Sequence, residues 1–380
     1  MMIDLPPDGL FVGRVWRAGL GPAVVTLRGG RVVDITSRAA PTLRDLLEIT
    51  DVPGFVAAQT GEDIGGLDEI AAMSTEAGSA QTRLLAPCDL QAVKACGVTF
   101  AGSMVERVIE ERAAGDASRA EAIRTRIAAA IGDSLRGLVP GSDKAAEVKR
   151  VLLAEGLWSQ YLEVGIGPHA EVFTKAQPMA AVGWGASVGL HPVSSWNNPE
   201  PEVVLAVDST GRIVGATLGN DVNLRDVEGR SALLLGKAKD NNAAAAIGPF
   251  VRVFDGSFGL NEVRGLELSL RVEGRDGFVM TGRSSMTQIS RDPVDLVRQT
   301  CGRHHQYPDG FMLYLGTLFA PVQDRDAPGQ GFTHHMGDVV TISATALGTL
   351  VNTVRLATEA PEWTFGTAAL MRNLAGRGLI

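Results

Sequence analysis

Glu200 and Glu202 stand two residues apart in the run Trp196 to Asp226, WNNPEPEVVLAVDSTGRIVGATLGNDVNLRD, which also carries Asp221. Val203 to Val207 is apolar and β-branched, Asp208-Ser209-Thr210-Gly211 is turn chemistry, and Arg212 to Leu218 reads as a returning strand, so the run is a β-hairpin. Strand alternation puts Glu200 and Glu202 on one face. A hairpin closed near Ser209 to Gly211 carries Gly219, Asn220 and Asp221 back beside Glu200, and three carboxylates converge at its open end. Such a cluster repels itself unless a hard divalent cation with oxygen ligands sits within it, Mg²⁺ before Ca²⁺ or Mn²⁺. The plain alternative is a solvated hairpin whose acids keep a strand edge soluble. Asn197-Asn198-Pro199 and Gly219-Asn220 are poor material for a strand interior, however, and suit backbone shaped around a ligand.

Two further side chains have types suited to proton transfer. Lys239, in GKAKDNN, would carry a proton or hold a substrate carboxylate if it lay beside a bound metal, and is otherwise a surface lysine. Glu171, in AEVFTK, is a candidate acid or base, and is otherwise an exposed strand carboxylate. His304-His305 and His334-His335 lack ligand spacing for zinc and read as solvated or packed histidines. Gly183 to Gly189, GWGASVG, has the wrong spacing for a dinucleotide loop and does not run into a helix. Neither a phosphate-cradling glycine loop nor a G-x-S-x-G nucleophile elbow is present.

The chain that must position these groups has 380 residues, 45% hydrophobic and 21% charged, which describes an ordinary folded protein with ample core. A formal charge of −8 without a lysine or arginine stripe argues against nucleic acid as partner. Cys88, Cys96 and Cys301 are too few and odd in number for a disulfide framework, and fit a reducing cytoplasm. The start, MMIDLPPDGL, lacks the pattern of a signal peptide, and no apolar run is long enough to span a bilayer.

Leu10 to Val15, Ala23 to Leu27 and Arg31 to Ile35 read as strands, with Gly29-Gly30 as a turn, and Thr42 caps a helix from Leu43 to Ile49. These elements make residues 1–82 a small α/β domain, linked by Ser74 to Thr82 to a main body at residues 83–380. In that body Ala92 to Phe100 reads as a strand. Helical patterns follow at Ser103 to Ala114, at Ser118 to Leu135, and from Ser142 or Asp143 to Gly156, a helical excursion spanning about 103–156. From Tyr161 onward short strands dominate, with helices near Ser231 to Lys239, Pro293 to Thr300 and Thr367 to Leu374. The fold class expected is α+β, β-rich and rolled or closed.

Taken together, EPE, GNDVNLRD, GKAKDNNAAAAIGP and GDVVTISATALGTLVNTV resemble the fumarylacetoacetate hydrolase family, over roughly Leu85 to Ile380. Within it, CGVTFAGSMVERVIEERA, GLWSQYLEVGIGPHAEVFTK, WNNPEPEVVL, HQYPDGF and LFAPVQDRDAPGQGFTH look most like the bacterial 2-keto-3-deoxy-pentonate dehydratases. The resemblance implies a β-roll catalytic domain and a homo-oligomer, dimer or tetramer. It implies Mg²⁺ on Glu200, Glu202 and Asp221, with Lys239 and Glu171 handling protons or substrate. Hydrolytic members show G-x-N-Y-x-x-H-x-x-E, whose His and Glu activate water. Here Ser103 replaces the His, which leaves Glu106 without that partner and favours a lyase.

The implied reaction is dehydration of a 2-keto-3-deoxy-pentonate (xylonate or arabinonate) to 2,5-dioxopentanoate. Lys239 takes or relays the C3 proton and Glu171 protonates the departing hydroxyl, or the two roles are reversed. Ser103, Thr174 and Glu106 are the candidate substrate contacts. The alternatives are an acylpyruvate hydrolase or oxaloacetate decarboxylase of the same family, and a protein that only binds a keto acid.

Overall fold

In a computed structural model the chain is described at residues 3–75, 81–114, 116, 119–120, 123, 138–154, 156, 158–319 and 321–380. Most of the helical pattern at Ser118 to Leu135 and most of the link from Ser74 to Thr82 lie outside the described residues. Ser74 and Thr75 themselves do not belong to a link. They close the helix Leu67–Thr75, where Ser74 is buried, donates to the Ile70 carbonyl and accepts from the Leu84 N–H.

The strands are β1 Phe11–Arg17, β2 Gly21–Arg28, β3 Arg31–Asp34, β4 Glu62–Gly66, β5 Arg83–Leu85, β6 Ala92–Gly97, β7 Glu171–Ala176 and β8 Ser187–Leu190. They continue as β9 Pro201–Val207, β10 Ile213–Asp221, β11 Ala245–Val253, β12 Glu267–Glu273, β13 Val279–Ser285, β14 Phe311–Tyr314, β15 Val339–Ala344 and β16 Gly348–Leu356. Two sheets result. The larger runs β4-β3-β2-β1-β11-β10-β9-β14-β6-β7, with β5 also on β1, and the smaller runs β13-β12-β15-β16-β8. The sheets face one another across an apolar layer that includes Leu205 and Leu218 from the larger and Ile342 and Leu350 from the smaller. The architecture is mixed α+β and sheet-rich.

Burial on both faces explains the apolar runs of the central strands: every residue of β9 and β11 is buried. Strand β12 shows the opposite case, since it alternates exposed and buried along Glu267–Glu273 and so has one solvated face. The N-terminal strands extend the larger sheet through β1 and β11, with Phe11 opposite Arg252. Gly29 and Gly30, both with positive φ, close the β2–β3 turn at low steric cost.

The expected helices at Ser231 to Lys239, Pro293 to Thr300 and Thr367 to Leu374 are found as a 3₁₀ turn Ala232–Leu234 leading into Leu235–Lys239, as Pro293–Thr300, and as Thr367–Gly376. Helices Ala101–Ala113 and Asp143–Ala154 bracket the excursion. Among the described residues no helix is long and apolar enough to cross a membrane.

Candidate active site

Antiparallel pairing of β9 with β10 sets Glu202 opposite Gly219 and Pro201 opposite Asn220, and the Asp221 N–H donates to the Glu200 carbonyl at 3.1 Å. Cross-strand partners share a face. Glu200, Glu202 and Asp221 therefore converge, all buried, with one oxygen from each within 4.8 Å of the others. Gly219 has no side chain because the Tyr314 ring occupies that place: a Cβ there would lie 2.3 Å from Tyr314 Cε1. The same end of the larger sheet gathers the C-terminal ends of β6, β10 and β14 and the N-terminal ends of β7 and β9, and all of them open into one cleft.

Three cations hold the acids from the sides. Lys239 Nζ donates to Glu200 Oε2 at 2.8 Å and to Asp221 Oδ2 at 3.1 Å. Arg107, on helix Ala101–Ala113, donates to Glu200 Oε1 at 2.7 Å, and also to Glu110 and Glu228. Lys175 lies behind the cluster with its side chain fully buried. Its Nζ is 2.7 Å from Asp221 Oδ1, in ion-pair contact, and donates to the Val222 and Lys239 carbonyls. Burial works against the Lys239 ammonium, but Asp221, Glu200 and Glu228 outweigh it and raise its pKa. Burial likewise opposes the Asp221 carboxylate, yet Lys175 and Lys239 keep its pKa below the ordinary value.

Glu202 differs from its neighbours. Its one hydrogen bond comes from the Gly316 N–H at 2.6 Å, and no cationic side chain among the described residues pairs with it. Burial first, then Asp221 and Glu200, push its pKa well up. The cleft is lined by seven carboxyl groups against Arg107, Arg225 and Lys239, so acid outweighs base. A hard divalent cation with oxygen ligands fits this donor set, because it supplies the positive charge Glu202 lacks.

Glu171 opens β7 and faces the same cleft. No hydrogen-bond donor among the described residues reaches its carboxyl. Burial, then Glu228, raise its pKa to about 7 against the pull of Arg107 and Lys239. Room for it depends on Gly97 across the ladder, where a Cβ would lie 1.9 Å from Glu171 Oε2.

Ser103 lines the cleft and donates to the Phe100 carbonyl of its own helix at 2.8 Å. Glu106 lines it too, with Arg225 Nη2 3.4 Å away. Thr174 is not brought in. Alternation along β7 turns it to the opposite face, exposed, where its hydroxyl accepts from Lys94 Nζ at 2.9 Å. Its neighbour Lys175 points inward instead, in step with Glu171 and Phe173. The sequence reading also passed over Arg107, Glu110, Arg225 and Glu228, a buried charge network in which Arg225 holds Glu110 at 2.6 Å and stacks over Trp196. The two-residue period from Glu171 was the available signal for Lys175; the network, assembled from distant segments, offered none.

His334 is buried against Asp338, while His304, His305 and His335 lie at or near the surface, and none of them joins the cleft. Cys88, Cys96 and Cys301 are free thiols.

With the hairpin, the carboxylates and Lys239 in place, the match is to one family. Residues 199–355 match the family model Fumarylacetoacetate (FAA) hydrolase C-terminal. The fold is fumarylacetoacetate-hydrolase-like, as three solved structures illustrate. One described as 2-keto-3-deoxy-D-arabinonate dehydratase, apo form, superposes with TM-score 0.63 at 22% identity, covering 91% of this chain and 98% of that one. Another, of the same enzyme complexed with magnesium and 2,5-dioxopentanoate, has TM-score 0.61 at 22% identity over the same 91% and 98%. A fumarylacetoacetate hydrolase from Exiguobacterium antarcticum has TM-score 0.53 at 17% identity, covering 91% and 99%.

Among curated proteins, the chain is 31% identical over 185 residues to 2-dehydro-3-deoxy-D-arabinonate dehydratase of Saccharolobus solfataricus. It is 33% identical over 194 residues to a protein of Haloferax volcanii named "Probable 2-keto-3-deoxyxylonate dehydratase". These alignments take in 49% and 51% of this chain and span 58% and 63% of the relatives' lengths.

Proposed function

We propose that this protein is a Mg²⁺-dependent hydro-lyase that converts a 2-keto-3-deoxy-pentonate to 2,5-dioxopentanoate. The observation that carries the reading is the pairing, in one cleft, of a buried three-carboxylate cluster with Glu171, a carboxyl that no hydrogen-bond donor among the described residues reaches and whose pKa burial raises to about 7. The names of the two curated relatives and the dioxopentanoate complex of a structural neighbour point the same way. So does the fate of the water-activating pair: Ser103 is bonded to backbone and Glu106 lies beside Arg225.

Bound to Glu200, Glu202 and Asp221, Mg²⁺ would supply Lewis acidity to the keto acid end and make its C3 protons more acidic. Ionised Glu171 takes one C3 proton. The Lys239 ammonium, fixed by two carboxylates, faces the negative charge that develops at the C2 oxygen. Glu171 then returns its proton to the C4 hydroxyl, which leaves as water. Loss of a C5 proton and tautomerisation complete the aldehyde, so the net change is loss of one water. This differs from both proton assignments the sequence left open, which divided base and acid between Lys239 and Glu171: here Glu171 is base first and acid second, and Lys239 transfers no proton. Support for it is that Lys239 is held as an ammonium while Glu171 titrates near neutral pH.

The test is NMR of the Mg²⁺-loaded protein with 2-keto-3-deoxy-D-pentonate, which D-xylonate and D-arabinonate share, and with its C4 enantiomer. Loss of the C4 methine signal, appearance of 2,5-dioxopentanoate and suppression by EDTA are expected. Pyruvate release from an acylpyruvate, with the pentonates untouched, would overturn the lyase reading in favour of hydrolysis.

A further inference from the structure

One rung beyond the Glu200–Asp221 rung, the hairpin ends in an asparagine pair. Asn198 and Asn223 exchange backbone hydrogen bonds at 3.0 Å in each direction, and both side chains line the cleft. Their amides form a chain with a fixed polarity. Asn198 Nδ2 donates to the Pro199 carbonyl at 2.9 Å, so its Oδ1 faces Asn223, whose Nδ2 donates back to it at 3.3 Å. That leaves Asn223 Oδ1 as an acceptor. Asn223 is 1% exposed, and its Oδ1 has no donor among the described residues. A buried acceptor without a donor is expensive, and in a ligand cleft it marks where a ligand's donor belongs.

The group it would take is a hydroxyl. A carboxylate or keto oxygen brings only lone pairs, and the adjoining acids already favour a cation at the neighbouring rung. Position narrows the choice further. One rung of two residues is about 7 Å along an antiparallel ladder. From the C2 oxygen of an open five-carbon keto acid to its terminal hydroxyl oxygen is about 6 Å at standard bond lengths. The C4 hydroxyl falls short of that span. We propose that Asn223 Oδ1 accepts a hydrogen bond from the terminal C5 hydroxyl of the substrate and so selects hydroxylated chains of this length. This inference rests on the reading of the cleft as a 2-keto acid site.

Binding separates it from the dehydration chemistry. The probes are 5-hydroxy-2-oxopentanoate and 2-oxopentanoate, neither of which has a C4 hydroxyl to lose. Each is titrated calorimetrically into the full-length protein in Mg²⁺ buffer, with affinities referred to the open-chain fraction measured by NMR. The hydroxylated acid is expected to bind the wild type about tenfold more tightly, and that advantage is expected to shrink to less than about twofold in Asn223→Ala. Equal binding by the wild type overturns the assignment, whatever the variant does. So does a tenfold advantage that survives in folded Asn223→Ala. Absence of binding by both acids would remove the keto acid reading together with this one. If the pentonates are not dehydrated but the hydroxylated acid keeps its Asn223-dependent advantage, the dehydratase reading falls and the hydroxyl site stands.

Discussion

Glu171 owes its chemistry to what surrounds it: burial and the nearby Glu228 carboxyl disfavour its charged form, and no donor among the described residues repairs the loss. A base must be ionised to take a proton, so kcat/KM should rise with pH along a limb centred near the about 7 of Glu171. Glu171→Gln should lose about 10²–10⁴-fold in kcat. Stability moves the other way. The folded state keeps this proton to higher pH than the unfolded chain does, so its contribution is greatest at low pH and is lost as pH rises from 4.5 to about 7. In EDTA, Glu171→Gln is therefore expected to melt about 2–4 °C higher than wild type at pH 8 and nearly unchanged at pH 4.5. Calorimetric melts at the two pH values, beside the kinetic profile, check both signs. A variant that melts lower at pH 8 would show the carboxylate to be structurally paired.

The hairpin β9–β10 was legible because a two-residue period, a turn and a cluster of acids all lie in one short segment. The turn does not by itself fix the register, because a β-bulge between Ile213 and Gly215 shifts the ladder by one residue and so brings Asp221 rather than Asn220 opposite Glu200. Thr174 was misplaced for a related reason: its strand was identified, but its face relative to Glu171 was not used, and parity brings Lys175 inward. Arg107 comes from helix Ala101–Ala113, whose amphipathic pattern also suits a solvated face, and Arg225 and Glu228 from the single helical turn Arg225–Glu228, too short to show a periodic face, so nothing local marks them as buried.

The closed end of the hairpin is fixed by the N-terminal segment. Glu48 accepts from the Ser209 N–H and hydroxyl at 2.7 Å. Arg212 donates to the Thr50 carbonyl at 2.8 Å, to that of Ile49 at 2.9 Å and to Asp208 at 2.7 Å. Arg212→Ala should lower stability by about 1–3 kcal/mol in urea titrations. The ligand end is held separately, by the Asp221–Glu200 backbone bond, by Asn220 Oδ1 on the Glu200 N–H and by Lys175. Turnover at saturating Mg²⁺ should then stay within about twofold of wild type, as expected of distant, independent sites. A collapse of kcat with the fold intact would mean that the hairpin shifts as one rigid piece.

At the scale of the molecule, one sheet runs from the N-terminal β4 to the cleft strands, and the chain's far end returns to its start. Asn373 donates to the Leu20 carbonyl at 2.8 Å, Arg377 to that of Pro22 at 2.6 Å and Arg38 to that of Gly378 at 2.9 Å. The β-rich class was readable from strand density, whereas the sharing of a single sheet by the N-terminal and central strands was not, because β1 and β11 meet across most of the sequence. Into this frame the fold builds a cleft with more acid than base, so a cation bound among the three carboxylates would relieve their mutual repulsion and add to the stability of the protein. A ligand that binds only the folded state stabilises it by RT ln(1 + [L]/Kd), about 2.7 kcal/mol at a hundredfold excess over Kd. Mg²⁺ in that excess should raise the melting temperature of EDTA-treated protein by about 2–4 °C or more. Sodium chloride at the same ionic strength should give little of this rise, because screening reaches buried groups poorly. In Glu202→Gln the Mg²⁺ rise should shrink, since the carboxyl without a cationic side-chain partner is gone, while the metal-free protein should melt no lower than wild type. Equal effects of Mg²⁺ and sodium would instead mean that the three acids act only through the general field of a protein with formal charge −8.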